Sequence, residues 1–322
     1  VVERSGRPLS VSLMQWHHAP QKWRDVLAWI EQCNADGLDV KAQVSGRPIG
    51  LNLGFELSFN PFSHTPGFKA LAGLPVSERR AQLRRPEIRA RIVGEEPESS
   101  GFPGESLLRL WSAMYPLGEH PFYEPGPEGS VAALAARRGV SPAEMAYDLM
   151  LEQDGQAVLM APTVNFWGNS LDDLLTMMRH PHAIYGLGDG GAHLGFLCDA
   201  SLPTYMLQYW VRDRTRGERL SLPEVVHGLT QRTAHAVGLR DRGVVAAGYK
   251  ADLNLIDFAR LALEPPRVHY DLPAGGRRMV QGARGYVATI VSGVTVRRAD
   301  EANGALPGRL VRGAQAAPAA AS

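Results

Sequence analysis

The sequence is poor in cysteine and contains no long apolar run. Its 322 residues include two cysteines, Cys33 and Cys198, which are too few for a disulfide framework or for a zinc site built from cysteine alone. No stretch approaches the roughly 18 apolar residues that a membrane-spanning helix requires. We therefore expect no contact with a membrane and a location in the reducing cytoplasm.

An excess of charge of either sign is also missing. The 34 lysines and arginines nearly balance the 33 aspartates and glutamates, which gives a net charge of +1. No basic face dominates such a total, so we expect no nucleic-acid partner. With 44% hydrophobic and 21% charged residues, the composition is that of an ordinary globular protein with a sizeable core. The chain starts without an initiator Met or a signal peptide, which is typical of the interior of a longer sequence.

Alternation of strands and helices is the first positive signal, and it predicts a parallel sheet. It occurs twice, as strand, helix and strand, at 9–15, 20–35 and 39–44, then at 157–161, 171–178 and 184–187. Between the two occurrences, residues 50–154 are predicted to form a helical insertion without clear strands. An insertion of that length is usually a lid or a binding element, and we expect its aromatic stretch 51–62 to line a substrate pocket through Phe55.

The chain changes character after residue 240. Residues 241–313 contain short apolar runs, glycine turns and a predicted hairpin around Gly293. We expect this part to be a small β unit, distinct from the α/β part that spans 1–240. The Ala- and Pro-rich tail 314–322 is predicted to be disordered.

One stretch concentrates the candidate chemistry. The short apolar run 183–187 ends abruptly in Gly188-Asp-Gly-Gly-Ala-His193. Glycines on both sides of Asp189 let the backbone turn sharply and let a ligand approach closely. A buried strand that delivers one acid at its carboxyl end is how α/β barrels place catalytic groups. Two alternatives stay open: a structural glycine turn capped by Asp189, and a G-x-G-x-x-G dinucleotide loop.

Three motifs together resemble the amidohydrolase superfamily, in the branch of the N-acyl-D-amino-acid deacylases (D-aminoacylases). They are Gly188-Asp-Gly-Gly-Ala-His193 with Cys198-Asp-Ala-Ser-Leu-Pro-Thr204, then Thr233-Ala-His-Ala-Val-Gly-Leu239 with Gly243-Val-Val-Ala-Ala-Gly-Tyr-Lys-Ala-Asp252, and Gly304-Ala-Leu-Pro-Gly-Arg-Leu-Val-Arg-Gly313. The resemblance covers residues 1–313. It implies an α/β fold, with the C-terminal strands of a partial (β/α)8 TIM-type barrel at 1–240 and part of a composite β-sandwich at 241–313.

The resemblance also implies a zinc site whose main ligands are not in this chain. The His-x-His metal pair of the first barrel strand has no counterpart near a strand end here, because His180-Pro-His182 precedes its strand. The strands 9–15 and 39–44 contain no histidine, and His17 and His18 have the pattern of exposed loop residues. We therefore expect the C-terminal part of a longer enzyme, with metal ligands upstream of Val1 and one zinc ion rather than two.

Within this resemblance, the predicted function is metal-dependent hydrolysis of a C–N (amide) bond, with an N-acyl-D-amino acid or related N-acyl compound as substrate. Asp189 would act as general base and acid and would also be a possible metal ligand. His193 would bind the scissile carbonyl or a substrate carboxylate, with a hydrogen bond to backbone as the alternative. Arg47, at a strand end, would clamp a substrate carboxylate, or else form a salt bridge within the barrel.

Two rival functions remain at this stage. One is a different linear or cyclic amidase on the same scaffold, since fold analogy is weak evidence for a substrate. The other is a truncated, non-catalytic fragment or a subunit that binds a partner. The partner of either form would be the missing N-terminal half or a second copy of the chain, because a barrel that lacks strands exposes its sheet edges.

Overall fold

The computed structural model of the protein describes residues 1–99, 101, 104–188, 190–191 and 193–319, and these form a mixed α/β fold. The strands in chain order are β1 (Leu9–Leu13), β2 (Val40–Val44), β3 (Ile49–Leu53), β4 (Tyr115–Pro116), β5 (Leu159–Val164), β6 (Ala183–Tyr185), β7 (Leu253–Ile256), β8 (Ala262–Leu263), β9 (Arg267–Leu272), β10 (Gly276–Val280), β11 (Ala283–Arg284), β12 (Tyr286–Val291), β13 (Val294–Arg298) and β14 (Glu301–Ala302).

The helices complete the inventory. In chain order they are α1 (Val2–Ser5), α2 (Lys22–Ala35), α3 (Pro66–Lys69), α4 (Val76–Leu83), α5 (Pro86–Gly94), α6 (Val131–Arg138), α7 (Pro142–Gly155), α8 (Asp172–Arg179), α9 (Leu202–Tyr205), α10 (Leu222–His227) and α11 (Thr233–Ala236). Wider π-helical turns continue α9 over Met206–Asp213 and α10 over Gly228–Arg232. None of the helices in the described part of the chain is both long and apolar enough to cross a membrane.

The parallel sheet has the strand order β1-β2-β6. Helix α2 connects β1 to β2, and it buries Trp23, Leu27 and Ile30 along one stripe, as the spacing of these apolar residues predicts. Because α2 covers the sheet, every second residue of β2 is buried. Helix α8 precedes β6 in the same way. The predicted parallel pairing of the strands at 9–15, 39–44 and 184–187 is therefore confirmed.

The predicted strand at 157–161 belongs to a different sheet, so its place in the parallel series was wrong. Strand β5 pairs antiparallel with β3 and with β4, in the order β3-β5-β4. This sheet also contradicts the expectation that 50–154 lacks strands. The apolar pattern did not reveal β3 because three consecutive residues at its end are buried, which hides the alternation of a half-exposed strand.

Gly50 explains how β3 approaches β5 so closely. A Cβ atom on Gly50 would lie 2.2 Å from the carbonyl oxygen of Ala161 and 2.6 Å from the Cα of Pro162. Both neighbours are backbone atoms, which cannot move aside without breaking the pairing. Only glycine fits at this position of the ladder.

The antiparallel sheet lies between two hydrophobic clusters. Tyr115 and Met160 belong to the cluster around β1, β2 and β6, whereas Leu53, Leu159 and Ala161 belong to a second cluster. Helices α4 to α7 supply about half of the buried residues of the second cluster, and helices α3 to α7 with this cluster are called the helical unit below. Phe55 is 3% exposed and its ring lies 5.9 Å from that of Phe68 and 4.9 Å from that of Tyr147. Phe55 thus lies in the interior of the helical unit, which corrects the expectation that it lines a substrate pocket.

After residue 240 the chain forms short antiparallel sheets. The largest has the order β14-β13-β12-β7, and two further pairs are β10-β9 and β11-β8. The sheets of the described residues are open, so a closed barrel is not part of this fold, and the sandwich stays a prediction. The tail 314–322 was predicted to be disordered, but its residue Gln315 forms backbone hydrogen bonds with Gly238 and Arg240.

Candidate functional site

The carboxyl ends of the three parallel strands lie side by side. Leu13 of β1 pairs with Val44 of β2, and Val44 pairs with Tyr185 of β6. Because adjacent strands are about 4.8 Å apart, the segments that follow them leave the sheet within roughly 10 Å of one another. In an open α/β sheet this edge is where ligands bind.

The glycine-rich segment leaves β6 at this edge. Asp189 itself lies outside the described residues, so its predicted role stays a prediction. Both of its chain neighbours are described and both pack closely: a Cβ on Gly188 would lie 3.4 Å from the carbonyl oxygen of Asp199, and one on Gly190 would lie 3.3 Å from the Cβ of Ala200. The segment 199–200 is therefore the surface against which the two neighbours of Asp189 rest.

Residues 194–196 follow the glycine-rich segment and form backbone hydrogen bonds with two other parts of the fold. The amide of Ser58 donates to the carbonyl of Gly195 at 2.9 Å, and the amide of Met279 donates to that of Leu194 at 2.9 Å. The amide of Asn52 donates to the carbonyl of Phe196, also at 2.9 Å. The glycine-rich segment is thereby joined to the helical unit and to β10.

His193 lies at the end of the glycine-rich segment with its side chain exposed. Its backbone has a φ of 53°, a left-handed conformation that is uncommon outside glycine. The carbonyl of His193 accepts the amides of Phe196 and Leu197, and its imidazole ring lies 5.1 Å from the ring of Phe196. The imidazole is thus at the surface beside the segment, where its predicted contact with a substrate is sterically open.

Arg47 follows β2 and is almost completely buried, with 2% of its surface exposed. Its Nη2 donates to Oδ1 of Asp199 at 2.8 Å and to the carbonyl of Cys198, and its Nη1 donates to Oγ of Ser201 at 3.1 Å. The guanidinium lies 4.4 Å above the ring of Tyr123. Of the two alternatives for Arg47, the internal salt bridge is the one that the structure contains.

The guanidinium of Arg47 stays protonated in this environment. Burial by itself lowers the pKa of a guanidinium, but nearby Tyr123 and Asp199 raise it, and the net pKa of Arg47 is raised. The carboxylate of Asp199 is the partner of Arg47 in this pair. This partner was missed because it lies 152 residues away in the chain. Burial raises the pKa of the Cys198 thiol to about 11, which is the environment of a packed thiol rather than of a nucleophile.

A small cleft opens beside the glycine-rich segment, with a volume of about 150 Å³. It is lined by Gly190 and Gly191, by Leu194 and residues 197–201, and by residues 278–281 at the end of β10. The side chain of Gln281 accepts hydrogen bonds from Ser201 at 2.5 Å and from Tyr123 at 3.2 Å. The cleft therefore combines polar groups held in fixed positions with glycines that leave room.

The histidines after β1 lie at the same edge of the sheet. His18 is exposed, as predicted, whereas His17 is half-buried and its Nε2 has no hydrogen-bond partner among the described residues. Burial lowers the pKa of His17, which favours the neutral imidazole. His180 and His182 lie at the opposite, amino end of β6, where His180 pairs with Glu31 at 2.9 Å, as expected for residues that precede the strand.

The metal centre implied by the resemblance does not fit the described residues taken alone. In the part of the chain that the structure describes, no group of three or more His, Cys, Asp or Glu side chains is placed to hold a metal ion. The carboxylate of Asp199 is already paired with Arg47.

The chain matches the amidohydrolase family over residues 1–297, and it belongs to that family. The resemblance found in the sequence is thus confirmed at the level of the family. No curated protein matches the chain.

Among solved structures, the chain is similar to a D-aminoacylase that defines a novel subset of amidohydrolases. The identity is 18%, with 94% of this chain and 49% of that chain covered and a TM-score of 0.44. It is also similar to an N-acyl-D-glutamate deacylase from Bordetella bronchiseptica complexed with zinc and a phosphonate inhibitor. Here the identity is 18%, with 92% and 48% covered and a TM-score of 0.43. The chain spans about half the length of these structures.

Proposed function

We propose that the chain is part of a metal-dependent amidohydrolase that cleaves the amide bond of an N-acyl-D-amino acid or a related N-acyl compound. The observation that carries this proposal is the match to the amidohydrolase family over residues 1–297. The substrate class comes from the resemblance of the glycine-rich motif and the C-terminal motif to the D-aminoacylases. A partial barrel fits the three parallel strands, whose carboxyl ends form the edge at which the site lies.

Asp189 is the proposed general base and acid. Its carboxylate would accept a proton from the attacking water and pass it to the leaving amine, which needs a proton before it departs. His193 is the proposed contact to the scissile carbonyl or the substrate carboxylate. Zinc is the proposed metal, and its chemistry would be to polarise the amide carbonyl.

Replacement of Asp189 by Asn in the full-length enzyme tests the proposal. Asn keeps the size and shape of the side chain but cannot accept the proton, so kcat should fall by roughly a hundredfold or more. Asp25→Asn is the matched control, because Asp25 is an exposed residue that pairs with Lys22 on α2, and kcat should not change. Bound metal and melting temperature, measured on the same preparations, separate a chemical effect from misfolding. An Asp189→Asn variant with normal turnover would contradict the proposed role.

A substrate panel tests the rest of the proposal. N-acyl-D-amino acids, their L counterparts, and linear and cyclic amides without a carboxylate should be compared at equal enzyme concentration. We expect hydrolysis of the D series, loss of activity on chelation, and recovery when zinc is added back. Preference for cyclic amides would favour the rival amidase, and inactivity towards all of them with zinc present would favour the non-catalytic fragment.

A further inference from the structure

The segment 198–202 lies between a buried arginine and the two neighbours of the proposed catalytic acid. On one side, the guanidinium of Arg47 binds the carboxylate of Asp199, the hydroxyl of Ser201 and the carbonyl of Cys198. On the other side, Gly188 lies against the carbonyl of Asp199 and the side chain of Leu202, and Gly190 lies against the side chain of Ala200. The two sets of contacts use the same five-residue segment.

We propose that Arg47 is a positioning residue, which fixes the segment 198–202 and, through it, the backbone on both sides of Asp189. This inference rests on the proposed function in one respect, the role of Asp189. It replaces the clamp on a substrate carboxylate with a contact that acts from behind the site.

The chemistry of the guanidinium suits this role. Arginine presents several N–H donors in a rigid planar fork, so one side chain fixes the direction as well as the distance of two partners. One partner, Ser201, is itself held by further hydrogen bonds. Its hydroxyl donates to Gln281, and the side-chain amide of Gln281 donates to the carbonyl of Glu264 at 2.9 Å. The face of the fork lies on the ring of Tyr123, so the guanidinium has little freedom to turn.

Burial also argues against a direct role in binding. The side chain of Arg47 is 3% exposed and that of Asp199 is 12% exposed. A substrate carboxylate would have to displace Asp199, and this would leave a buried carboxylate without its partner. Removal of one member of a buried pair is strongly unfavourable. Arg47 therefore affects the reaction indirectly, through its contacts with the segment 198–202.

A matched control is available elsewhere in the chain. Arg214 is also buried, is paired with the carboxylate of Glu124 at 2.9 Å, and lies 4.6 Å above the ring of Trp210. Its described hydrogen bonds go to Glu124, Asp172 and Glu218 rather than to the segment 198–202. Arg47→Lys and Arg214→Lys thus remove the same kind of fork from two different places.

The first measurement is hydrogen exchange of the backbone amides in 186–202, which needs no activity. Arg47→Lys should accelerate exchange there by roughly tenfold or more, because local opening becomes easier, and Arg214→Lys should leave it unchanged. Ser201→Ala, a milder change that removes one of the hydrogen bonds, should act in the same direction if Arg47→Lys does not fold. Unchanged exchange in both Arg47→Lys and Ser201→Ala would overturn the proposal.

The second measurement separates positioning from substrate binding. Arg47→Lys should lower kcat by roughly ten- to a hundredfold, since small misplacements of a reacting group have effects of that size. The loss should be equal for an N-acyl amino acid and for its neutral carboxamide. A loss confined to KM for the substrate that carries a carboxylate would overturn the proposal in favour of a clamp. If Asp189→Asn is fully active while Arg47→Lys accelerates exchange, the proposed function fails and the anchoring of the segment stands.

Discussion

The buried pair of Glu124 and Arg214 makes a quantitative prediction about stability. The two side chains are 1% and 0% exposed. Glu124 accepts two hydrogen bonds from Arg214, each 2.9 Å long, one from the hydroxyl of Tyr209 at 2.7 Å and one from the amide of Leu171 at 3.0 Å. The carboxylate of Glu124, in the proline-containing stretch 116–127, thus contacts Leu171 at the start of α8. It also contacts Tyr209 in, and Arg214 just after, the π-helical continuation of α9.

Glu124→Gln removes the charge and keeps the shape. Arg214 would then retain only the carboxylate of Asp172, which is 66% exposed and therefore screened by water. The buried guanidinium would be nearly unpaired, so the free energy of unfolding should fall by about 3–5 kcal/mol. Asp25→Asn, which breaks the exposed pair with Lys22, should cost less than about 1 kcal/mol.

A double-mutant cycle shows whether the unpaired charge is the cause. Arg214→Met alone leaves Glu124 buried without its cation and should also cost about 3–5 kcal/mol. The double variant Glu124→Gln with Arg214→Met carries neither charge and keeps an amide oxygen for Leu171. It should cost at least about 2 kcal/mol less than the sum of the single changes. Urea unfolding with an unchanged m value measures these differences; additive single effects, or a loss below about 1 kcal/mol for Glu124→Gln, would refute the reasoning.

Two further predictions concern the helical unit and the strand-end histidine. Phe55→Ala should lower the free energy of unfolding by about 3–5 kcal/mol and leave the ratio of KM values for long and short acyl chains unchanged; a selective rise in KM for long chains would restore the pocket hypothesis. His17 has a lowered pKa in the fold, so the unfolded chain takes up the proton more readily and stability falls as the pH drops below about 6.5. His17→Asn should therefore lose less melting temperature between pH 7 and pH 5 than the parent chain, whereas replacement of the exposed His120 should leave that difference as it was.

Helix α2 and strands β1 and β2 could be predicted from local pattern because their partners are local. Helix α2 was predicted from one apolar stripe, and its stripe of Trp23, Leu27 and Ile30 is the face that it buries. Strand β1 precedes α2 in the chain and strand β2 follows it, so the short helical connection predicts that the two strands pair in parallel. The residues that determine this strand, helix and strand unit all lie within the range 9–44.

The elements that were placed wrongly depend on distant partners. Strand β5 reads as one more apolar run, and nothing within it distinguishes a parallel from an antiparallel neighbour. Its partner β3 lies more than 100 residues earlier, and the close approach that identifies the pair is visible only in the space around Gly50. A salt bridge was one of the two alternatives for Arg47, but its partner Asp199 was missed for the same reason, because it lies 152 residues away in the chain.

The glycines around Asp189 show how one sequence feature can have two physical causes. The sequence suggested that all of them make room for a ligand. At Gly188 and Gly190 the nearest atoms belong to the protein, at 3.4 and 3.3 Å from an added Cβ, so these two glycines allow the segment to pack against 199–202. At Gly191 no described atom lies within 4 Å of an added Cβ, and this glycine lines the cleft together with Gly190. The open space at Gly191 belongs to a cleft whose lining also includes Asp199 and Ser201, so the segment that Arg47 binds is part of the wall of that cleft.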